Sequence, residues 1–292
     1  MCIPDYNEPS LKERPIQVDF DLQGPPSSEQ QFTHELLEVE PTDASAEFLR
    51  YHQRYGHVSP KQIQAMAKRG ILPRRLATCP IPNCQACFYG KNTKKPWRSK
   101  TSDDEREAHH PVVQPGECIS VDMMTSPTPR LVAQMSGKPT CKRYRHAAIY
   151  VDQATSLGFV WLQKSVDIGD TMAGKIAFER FCQEHGITVQ HYHADNGIYT
   201  SNAWRQSCLQ QGQGLTFAGV AAHHQNGVAE RWIRDLQEMA CTMLIHAHHR
   251  WPSAITLNLW PYVLRMANDA INVMPNLKFK DAQMPIESFT GT

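Results

Sequence analysis

The chain has 292 residues, of which 41% are hydrophobic and 20% charged, and this composition excludes a protein that is disordered throughout. No apolar run is long enough to span a bilayer and the first residues do not form a signal peptide, so we expect an intracellular protein without a membrane partner. Nine cysteines in such a chain favour free thiols and metal ligands over a disulfide framework.

The net charge of +1 conceals three segments of different character. Residues 1–49 carry 11 acids and two bases, residues 50–100 carry 12 bases and no acid, and residues 101–292 carry 18 acids and 16 bases. A long stretch without a carboxylate is typical of a protein that binds a polyanion. The alternative is a solvated basic face that balances the acidic leader.

The N-terminal part of the chain predicts a leader followed by a small helical segment. Residues 1–44 contain many acids and little periodic hydrophobicity, which predicts an acidic disordered leader. Ser45 and Ser59 are predicted to be the N-caps of two helices, and Gly70 is predicted to end the second helix. Residues 79–91, "CPIPNCQACFYGK", form a knuckle rich in turn residues.

From Glu117 onward the pattern changes to strands and helices, after a polar linker at 101–116. The predicted strands are 117–124, 143–152, 158–164, 187–195 and 215–221, and the predicted helices are 170–186, 202–212, 228–247 and one that starts near Leu257. This order predicts an α/β domain with a mixed sheet flanked by helices. In the long third helix, four side chains at helical spacing should face the core: Trp232, Leu236, Met239 and Met243.

Two pairs of potential metal ligands lie in the N-terminal helical segment. His52 and His57 are five residues apart near a helix end, and Cys84 and Cys87 form a C-x-x-C. Zinc prefers four tetrahedral nitrogen or sulfur ligands, which two close pairs supply. A zinc site is favoured over surface histidines and a reduced cysteine pair, because the segment is too short for a core of its own. Cys79 is an alternative ligand.

Three acidic residues occupy positions that no single structural reason covers. Asp122 interrupts an apolar strand, Asp195 ends a strand, and Glu230 begins the long helix. Together they supply the oxygen ligands that magnesium prefers, and paired divalent ions support phosphodiester chemistry. Taken singly, Asp195 can be a turn residue, and Glu230 can favour the helix dipole while pairing with Arg234. Asp152, before a hairpin turn, is interpreted as structural.

The turn after Asp195 is predicted to use the backbone freedom of Asn196 and Gly197, which tolerate positive φ. On this interpretation the chain swings away after the strand. The carboxylate of Asp195 is then left facing a metal ion.

These blocks resemble the integrase region of copia-type LTR retrotransposon polyproteins. "HQRYGH" and "CPIPNCQAC" are similar to its zinc segment, and "VDMM", "HADNG" and "HHQNGVAERWIRDLQEMACTML" are similar to the three blocks that carry its D, D and E acids. "LWPYVLRMANDAINVMPN" and "MPIESFTG" are similar to the region after its core. The resemblance covers roughly residues 45–292, and "QNGVAER" ahead of "EMACTML" is its most specific part.

The resemblance implies an RNase H-like mixed sheet flanked by helices, preceded by a small helical zinc-binding domain. It implies a zinc-binding domain with a basic segment at 45–100, a catalytic core at 117–250 and a helical extension at 251–292. It implies zinc at His52, His57, Cys84 and Cys87, and magnesium or manganese at Asp122, Asp195 and Glu230. The 34 residues between Asp195 and Glu230 are one fewer than the usual spacing, and this departure removes no ligand.

The implied activity is that of an integrase, a D-D-E polynucleotidyl transferase that joins element DNA ends to target DNA. Its implied setting is a homo-oligomer in the nucleus or in a cytoplasmic particle. No aspartic-protease or reverse-transcriptase motif is present, which indicates a piece of a polyprotein or an isolated reading frame. One alternative is an inactive or co-opted nucleic-acid-binding remnant. The other is a nuclease acting on RNA–DNA hybrids, against which the motif "QNGVAER" argues.

Two regions are predicted to contact DNA, namely the basic segment after the knuckle and the loop and first turns around Glu230. The residues concerned are Lys91, Lys94, Lys95, Trp97, Arg98, Gln225, Asn226, Arg231 and Arg234. A solvated linker and an ordinary surface connection are the respective alternatives.

Replacing Lys94, Lys95 and Arg98 together by Ala should weaken DNA binding equally for unrelated sequences, because phosphate contacts carry no sequence information. The slope of log K against log salt should become shallower by about three phosphate contacts. Titrations at several salt concentrations measure it. An unchanged slope would mean that this segment is only a linker.

Overall fold

A five-stranded mixed sheet organises the described part of this computed structural model, which comprises residues 43–91, 112–131, 143–218, 226–279 and 281–291. The strands are β1 Ile119–Leu131, β2 Arg143–Asp152, β3 Gly158–Gln163, β4 His191–Ala194 and β5 Gly214–Phe217. Their order is β3-β2-β1-β4-β5. The first three strands are antiparallel, whereas β4 and β5 run parallel to β1. The predicted α/β fold with a mixed sheet is confirmed.

The helices cover both faces of this sheet. They are α1 Ala44–Arg54, α2 Pro60–Lys68, α3 Gln85–Gly90, α4 Ile168–Glu184, α5 Asn202–Gln210, α6 Gly227–Arg250, α7 Trp260–Asn272 and α8 Pro285–Thr290. Strand β2 shows why two layers form, because its alternate side chains enter two separate clusters. Ile149 and Val151 pack in one cluster, while Ala148 and Tyr150 pack in the other.

The first cluster joins α6 and α7 to one face of the sheet. Trp232, Leu236 and Met239 are buried in it, as predicted, and Met243 packs against it half-buried. Phe48 of α1 and the buried side chains of α2 belong to the same cluster. The N-terminal helices therefore share a hydrophobic core with the helices that follow the sheet, rather than packing only on one another.

The second cluster places α4 and α5 on the opposite face and contains a buried ion pair. Lys175 is fully buried, and its Nζ lies 2.7 Å from Glu179 Oε1. The same ammonium donates to Ser207 Oγ at 3.1 Å and Gln213 Oε1 at 2.8 Å. Because a buried charge is costly without partners, these hydrogen bonds are what allow the pair to sit between α4 and α5.

Local capping follows the sequence closely at α2 and less closely at α1. The Ser59 hydroxyl accepts a hydrogen bond from Gln62 N, and the Gln62 side-chain oxygen accepts one from Ser59 N, so α2 begins with a capping box. At α1 the cap is Asp43, whose carboxylate accepts from Ser45 N, and the prediction of Ser45 as the cap was wrong. Asp43 offers the same acceptor two residues earlier.

Several predicted bounds differ from the structure. Strand β4 begins at His191 and not at residue 187, β1 extends to Leu131, and the knuckle contains the short helix α3. The turn after Asp195 does not use positive φ, since Gly197 has a φ of −76° and leads into a 3-10 turn at Ile198–Thr200. The predicted leader, the linker residues 101–111 and the basic residues 92–100 lie outside the described residues, so the domain boundaries stay predictions.

Asp152 has the structural role that its sequence position suggests. It is fully buried, and its carboxylate accepts from Gly116 N at 2.9 Å, from Thr155 N at 2.8 Å and from the Thr155 hydroxyl at 2.7 Å. Burial raises the pKa of this carboxyl, while the three hydrogen bonds oppose that rise. Asp152 thereby connects the segment that precedes β1, at Gly116, with the β2–β3 hairpin.

Asp152→Ala should lower the free energy of unfolding by about 2–4 kcal/mol, because it leaves buried amide donors without an acceptor. Urea unfolding measures the change. Glu184→Ala, at an exposed position at the end of α4, is the control and should stay within about 0.5 kcal/mol of the parent. Equal stabilities for the two variants would contradict the structural role.

Candidate functional site

Four side chains from the N-terminal segment converge on one point. His52, His57, Cys84 and Cys87 each offer a ligand atom, and all four atoms lie within 4.8 Å of one another. His52 lies in the last turn of α1, and His57 follows it in a left-handed backbone conformation with φ 62°. Cys84 is the N-cap residue of α3 and Cys87 lies within that helix. The structure thus brings together the four residues that the spacing predicts as zinc ligands.

The separations between these atoms are close to the edges of a zinc tetrahedron. Bonds of about 2.0–2.1 Å to nitrogen and about 2.3 Å to sulfur place neighbouring ligand atoms about 3.3–3.8 Å apart. His52 Nε2 lies 3.1 Å from Cys87 Sγ and 3.3 Å from His57 Nδ1. His57 Nδ1 lies 3.4 Å from Cys84 Sγ and 3.6 Å from Cys87 Sγ. The donor set and its dimensions therefore fit zinc.

The electrostatics around the cluster also suit a metal site. Burial lowers the pKa of His52, and burial together with nearby positive groups lowers the pKa of His57 to about 3. Both imidazoles are therefore neutral near pH 7, the form in which histidine binds a metal. Burial raises the pKa of Cys87 to about 11, so its thiolate requires a cation beside it.

Cys79, the alternative ligand, is not part of this group. It is buried with 6% exposure in the first hydrophobic cluster, and its thiol contacts the neighbouring Pro80 carbonyl at 3.5 Å. Among the residues that the structure describes, the two histidines and two cysteines are the single group of three or more such side chains with converging ligand atoms.

The first two acids lie next to each other on neighbouring strands. Strands β1 and β4 are parallel, and Val121 pairs with Ala194. Asp122 and Asp195 are the residues that follow this pair, so they occupy adjacent positions about 4.8 Å apart in the hydrogen-bonding direction. Val121 points into the α4–α5 layer, and by alternation Asp122, the next residue of β1, faces the side on which α6 packs.

The start of α6 is tied to the same point of the sheet. Asn226, directly before α6, is 2% exposed, and its amide donates to the carbonyl of Val121 at 3.1 Å. Glu230 lies in the first turn of α6, half-buried, four residues beyond this anchor. In the described part of the chain Glu230 forms no ion pair with Arg234, so the pairing that would make it purely structural does not occur.

Tyr199 lies in the 3-10 turn that follows Asp195 and packs in the second hydrophobic cluster. It is 1% exposed, and its hydroxyl has no hydrogen-bond partner within the described residues. Burial raises the pKa of Tyr199 well above its usual value, and the charges of Asp122 and Asp195 raise it further. A buried hydroxyl without a partner beside two acids was not foreseen from the sequence.

The three carboxylates do not converge as tightly as the zinc ligands. Asp122, Asp195 and Glu230 form no three-membered group with close ligand atoms among the described residues. Asp122 Oδ1 accepts from Met123 N, and Asp195 Oδ1 accepts from Asn196 N, each at 2.7 Å. The paired aspartates supply the hard oxygen ligands that suit magnesium or manganese. Glu230 lies on α6, which packs on the side of the sheet that Asp122 faces.

The residues predicted to contact DNA fall into three groups. Arg231 and Arg234 are exposed on α6 beside Glu230. Lys91 donates to the carbonyl of His57, and Asn226 is buried against β1, so both also have contacts within the fold. The remaining residues lie outside the described residues: Lys94, Lys95, Trp97, Arg98 and Gln225.

The site thus combines a group of two histidines and two cysteines in a helical N-terminal region with an α/β sheet that carries paired acids. The chain is 24% identical over 243 residues to a retrovirus-related Pol polyprotein from transposon RE2 of Arabidopsis thaliana, covering 82% of this chain. It is 25% identical over 236 residues to the one from transposon TNT 1-94 of Nicotiana tabacum, covering 78% of this chain. The predicted resemblance to the integrase region of a retrotransposon polyprotein is confirmed.

The chain spans 15% of the length of each of these curated relatives. No protein-family model matches it. Among solved structures it is similar to the simian T-cell lymphotropic virus intasome in complex with PP2A regulatory subunit B56 gamma, with a TM-score of 0.48, 14% identity and coverage of 83% of this chain and 74% of that one. Likenesses this distant carry no argument for the site.

A second solved structure, the HTLV-2 integrase catalytic core domain in complex with magnesium in its dimeric form, has a TM-score of 0.41 and 13% identity. The similarity covers 60% of this chain and 97% of that chain.

None of the described helices combines the length and the apolar composition that crossing a membrane requires.

Cys87→Ser should lose bound zinc, because the remaining three ligands leave the tetrahedron open. Since α1 and α2 share a core with α6 and α7, the melting temperature of the whole described unit should fall by at least about 3 °C. Metal analysis and thermal unfolding measure both effects. Cys241→Ser, on the exposed side of α6, is the control. Undiminished zinc in Cys87→Ser would remove this cysteine from the site.

Proposed function

We propose that this chain is a retrotransposon integrase, a metal-dependent polynucleotidyl transferase of the D-D-E type that joins element DNA ends to target DNA. One observation carries the proposal. The parallel register of β1 and β4 sets Asp122 and Asp195 side by side, and the Asn226–Val121 hydrogen bond fixes the start of α6, which carries Glu230, to the same strand. Similarity to retrotransposon Pol polyproteins supports it.

Each acid has a distinct part in this chemistry. Asp122 and Asp195 would hold magnesium or manganese between adjacent strands, and Glu230 would complete the ligand set from α6. When bound, the divalent cations lower the pKa of an attacking hydroxyl and neutralise charge on the phosphate. Water or a DNA 3′-hydroxyl then attacks phosphorus in line, a new P–O bond forms, and the opposite bridging P–O bond breaks.

Two neighbouring residues position the acids. Asn226 holds the first turn of α6 against Val121, so the Glu230 backbone is fixed relative to Asp122. Tyr199, in the 3-10 turn that follows Asp195, packs its buried ring in the second hydrophobic cluster and so anchors the chain just after this acid. Both side chains act through the acids and not on the substrate.

DNA would lie across the exposed side of α6. Arg231 and Arg234 are one turn apart there, next to Glu230, and their guanidinium groups suit phosphate oxygens. The basic residues 91–100 precede the sheet and would add contacts that do not depend on sequence. The DNA partners are then element ends and target DNA, and we expect a homo-oligomer acting in the nucleus or in a cytoplasmic particle.

A second candidate is a nucleic-acid-binding remnant without catalysis, either decayed or co-opted. One observation favours it, because the three carboxylates do not converge within the described residues as the zinc ligands do. Such a protein would retain zinc and DNA binding while joining nothing.

Glu230→Gln should lower the joining of blunt DNA ends at least about 100-fold, the scale of losing one preorganised electrostatic partner. It keeps the shape of the side chain and the helix, so DNA binding should be nearly unchanged. The assay uses purified protein, short DNA duplexes, and either magnesium or manganese.

Glu238→Gln is the matched control, because it makes the same change two turns further along α6. Joining by Glu230→Gln at the parent's rate would contradict the catalytic assignment. A parent that binds DNA and divalent metal but joins nothing would favour the remnant.

A further inference from the structure

The two zinc-binding histidines are oriented by different parts of the chain. His52 Nδ1 donates to the carbonyl of Val58 at 2.8 Å, a contact made within its own segment. His57 turns the opposite way, with Nδ1 toward the cluster and Nε2 2.8 Å from Nδ1 of His246. His246 lies in α6, 189 residues further along the chain.

The contact between His57 and His246 differs from a chance surface pair. His57 is 1% exposed, and the two rings meet edge to face with centroids 4.7 Å apart. Because Nδ1 of His57 faces the ligand atoms, Nε2 must carry the proton and donate it to His246. Nδ1 of His246 then acts as the acceptor, which fixes the tautomers of both rings.

The knuckle packs closely on α6, which fixes the position of His57 relative to His246. A Cβ added at Gly90, the last residue of α3, would lie 2.3 Å from the Thr242 hydroxyl and 2.9 Å from Thr242 Cα. Thr242 is itself fully buried and lies one turn before His246. Lys91 also reaches across to the carbonyl of His57. The backbone of α3 therefore touches α6 at the level where His246 meets the cluster.

We propose that His246 is a positioning residue of the zinc site, which holds His57 in its metal-binding tautomer and thereby ties zinc binding to helix α6. This inference rests on the proposed zinc binding by His52, His57, Cys84 and Cys87. Partners that bind the outer nitrogen of a ligand histidine typically contribute 10–100-fold to metal affinity. Here that partner comes from the helix whose first turn carries Glu230.

The consequence is that zinc stabilises α6 as well as its own segment. A ligand that binds only the folded form stabilises that form, including the elements that contact the binding site. His246 and Glu230 are 16 residues apart on one continuous helix, about 24 Å along its axis. Zinc is therefore expected to slow the opening of the C-terminal half of α6, which the knuckle covers.

The test measures zinc affinity by competition with a chromophoric chelator in full-length protein. His246→Ala removes the acceptor and should weaken zinc binding about 10–100-fold. His246→Asn places an amide oxygen where Nδ1 was and should recover affinity to within a few-fold of the parent. His249→Ala, exposed three residues further along α6, is the control and should match the parent.

A second readout is amide hydrogen exchange in residues 240–250. Zinc should slow this exchange in the parent and in His246→Asn, and should slow it much less in His246→Ala. Comparing each variant with and without zinc separates the effect from a general loss of stability, because the zinc-free proteins should exchange alike.

The outcomes distinguish two failures. A parent that binds no zinc, or binds it as well after Cys87→Ser, would overturn the four-ligand zinc site on which this inference rests. A parent that binds zinc while His246→Ala retains full affinity and full zinc-dependent protection would overturn only the role of His246.

Discussion

Helix α6 is the constraint on which both candidate metal centres depend. Its start is held by the Asn226–Val121 hydrogen bond, and its second turn packs Trp232 onto β3 so closely that a Cβ at Gly158 would lie 2.2 Å from the indole ring. Its end is covered by the knuckle and meets His57 through His246. One continuous helix thus positions Glu230 relative to the two aspartates at its start and contacts the zinc ligand His57 near its end.

The polar groups of the structure fall into two kinds, and the difference separates stability from function. Lys175 with Glu179, and Asp152 with its three donors, are buried charges whose hydrogen bonds stay within the fold. Asp122 and Asp195 are instead half-buried, Asp122 within β1 and Asp195 directly after the neighbouring parallel strand β4. Charges of the first kind hold layers together, while the second kind can bind ligands.

Much of the fold follows from local patterns in the sequence. The bounds of β2 match the prediction because a continuous apolar run between polar residues marks a strand buried on both faces. The capping box at Ser59 and the helical spacing of Trp232, Leu236 and Met239 are similarly local signals. The ligand spacing of the histidine and cysteine pairs predicted a cluster that the structure assembles.

What the sequence could not predict depends on contacts between distant residues. Helix α3 is only six residues long and too short to show periodicity. His246 has no motif around it, and only the packing of the knuckle on α6 brings it to His57. The contacts of Lys91 with His57 and of Asn226 with Val121 likewise join residues that are distant in sequence. The register that pairs Val121 with Ala194, and so brings Asp122 next to Asp195, is likewise a property of the assembled sheet.

Anomalous X-ray scattering from crystals grown with zinc and soaked in manganese tests the central claim most directly, since it locates each metal independently of activity. The account predicts a zinc peak about 2.0–2.3 Å from the ligand atoms of His52, His57, Cys84 and Cys87. It predicts a manganese peak between Asp122 and Asp195 on the side of the sheet that faces Glu230. A manganese-saturated crystal with no peak at the aspartate pair would contradict a metal-dependent catalytic site.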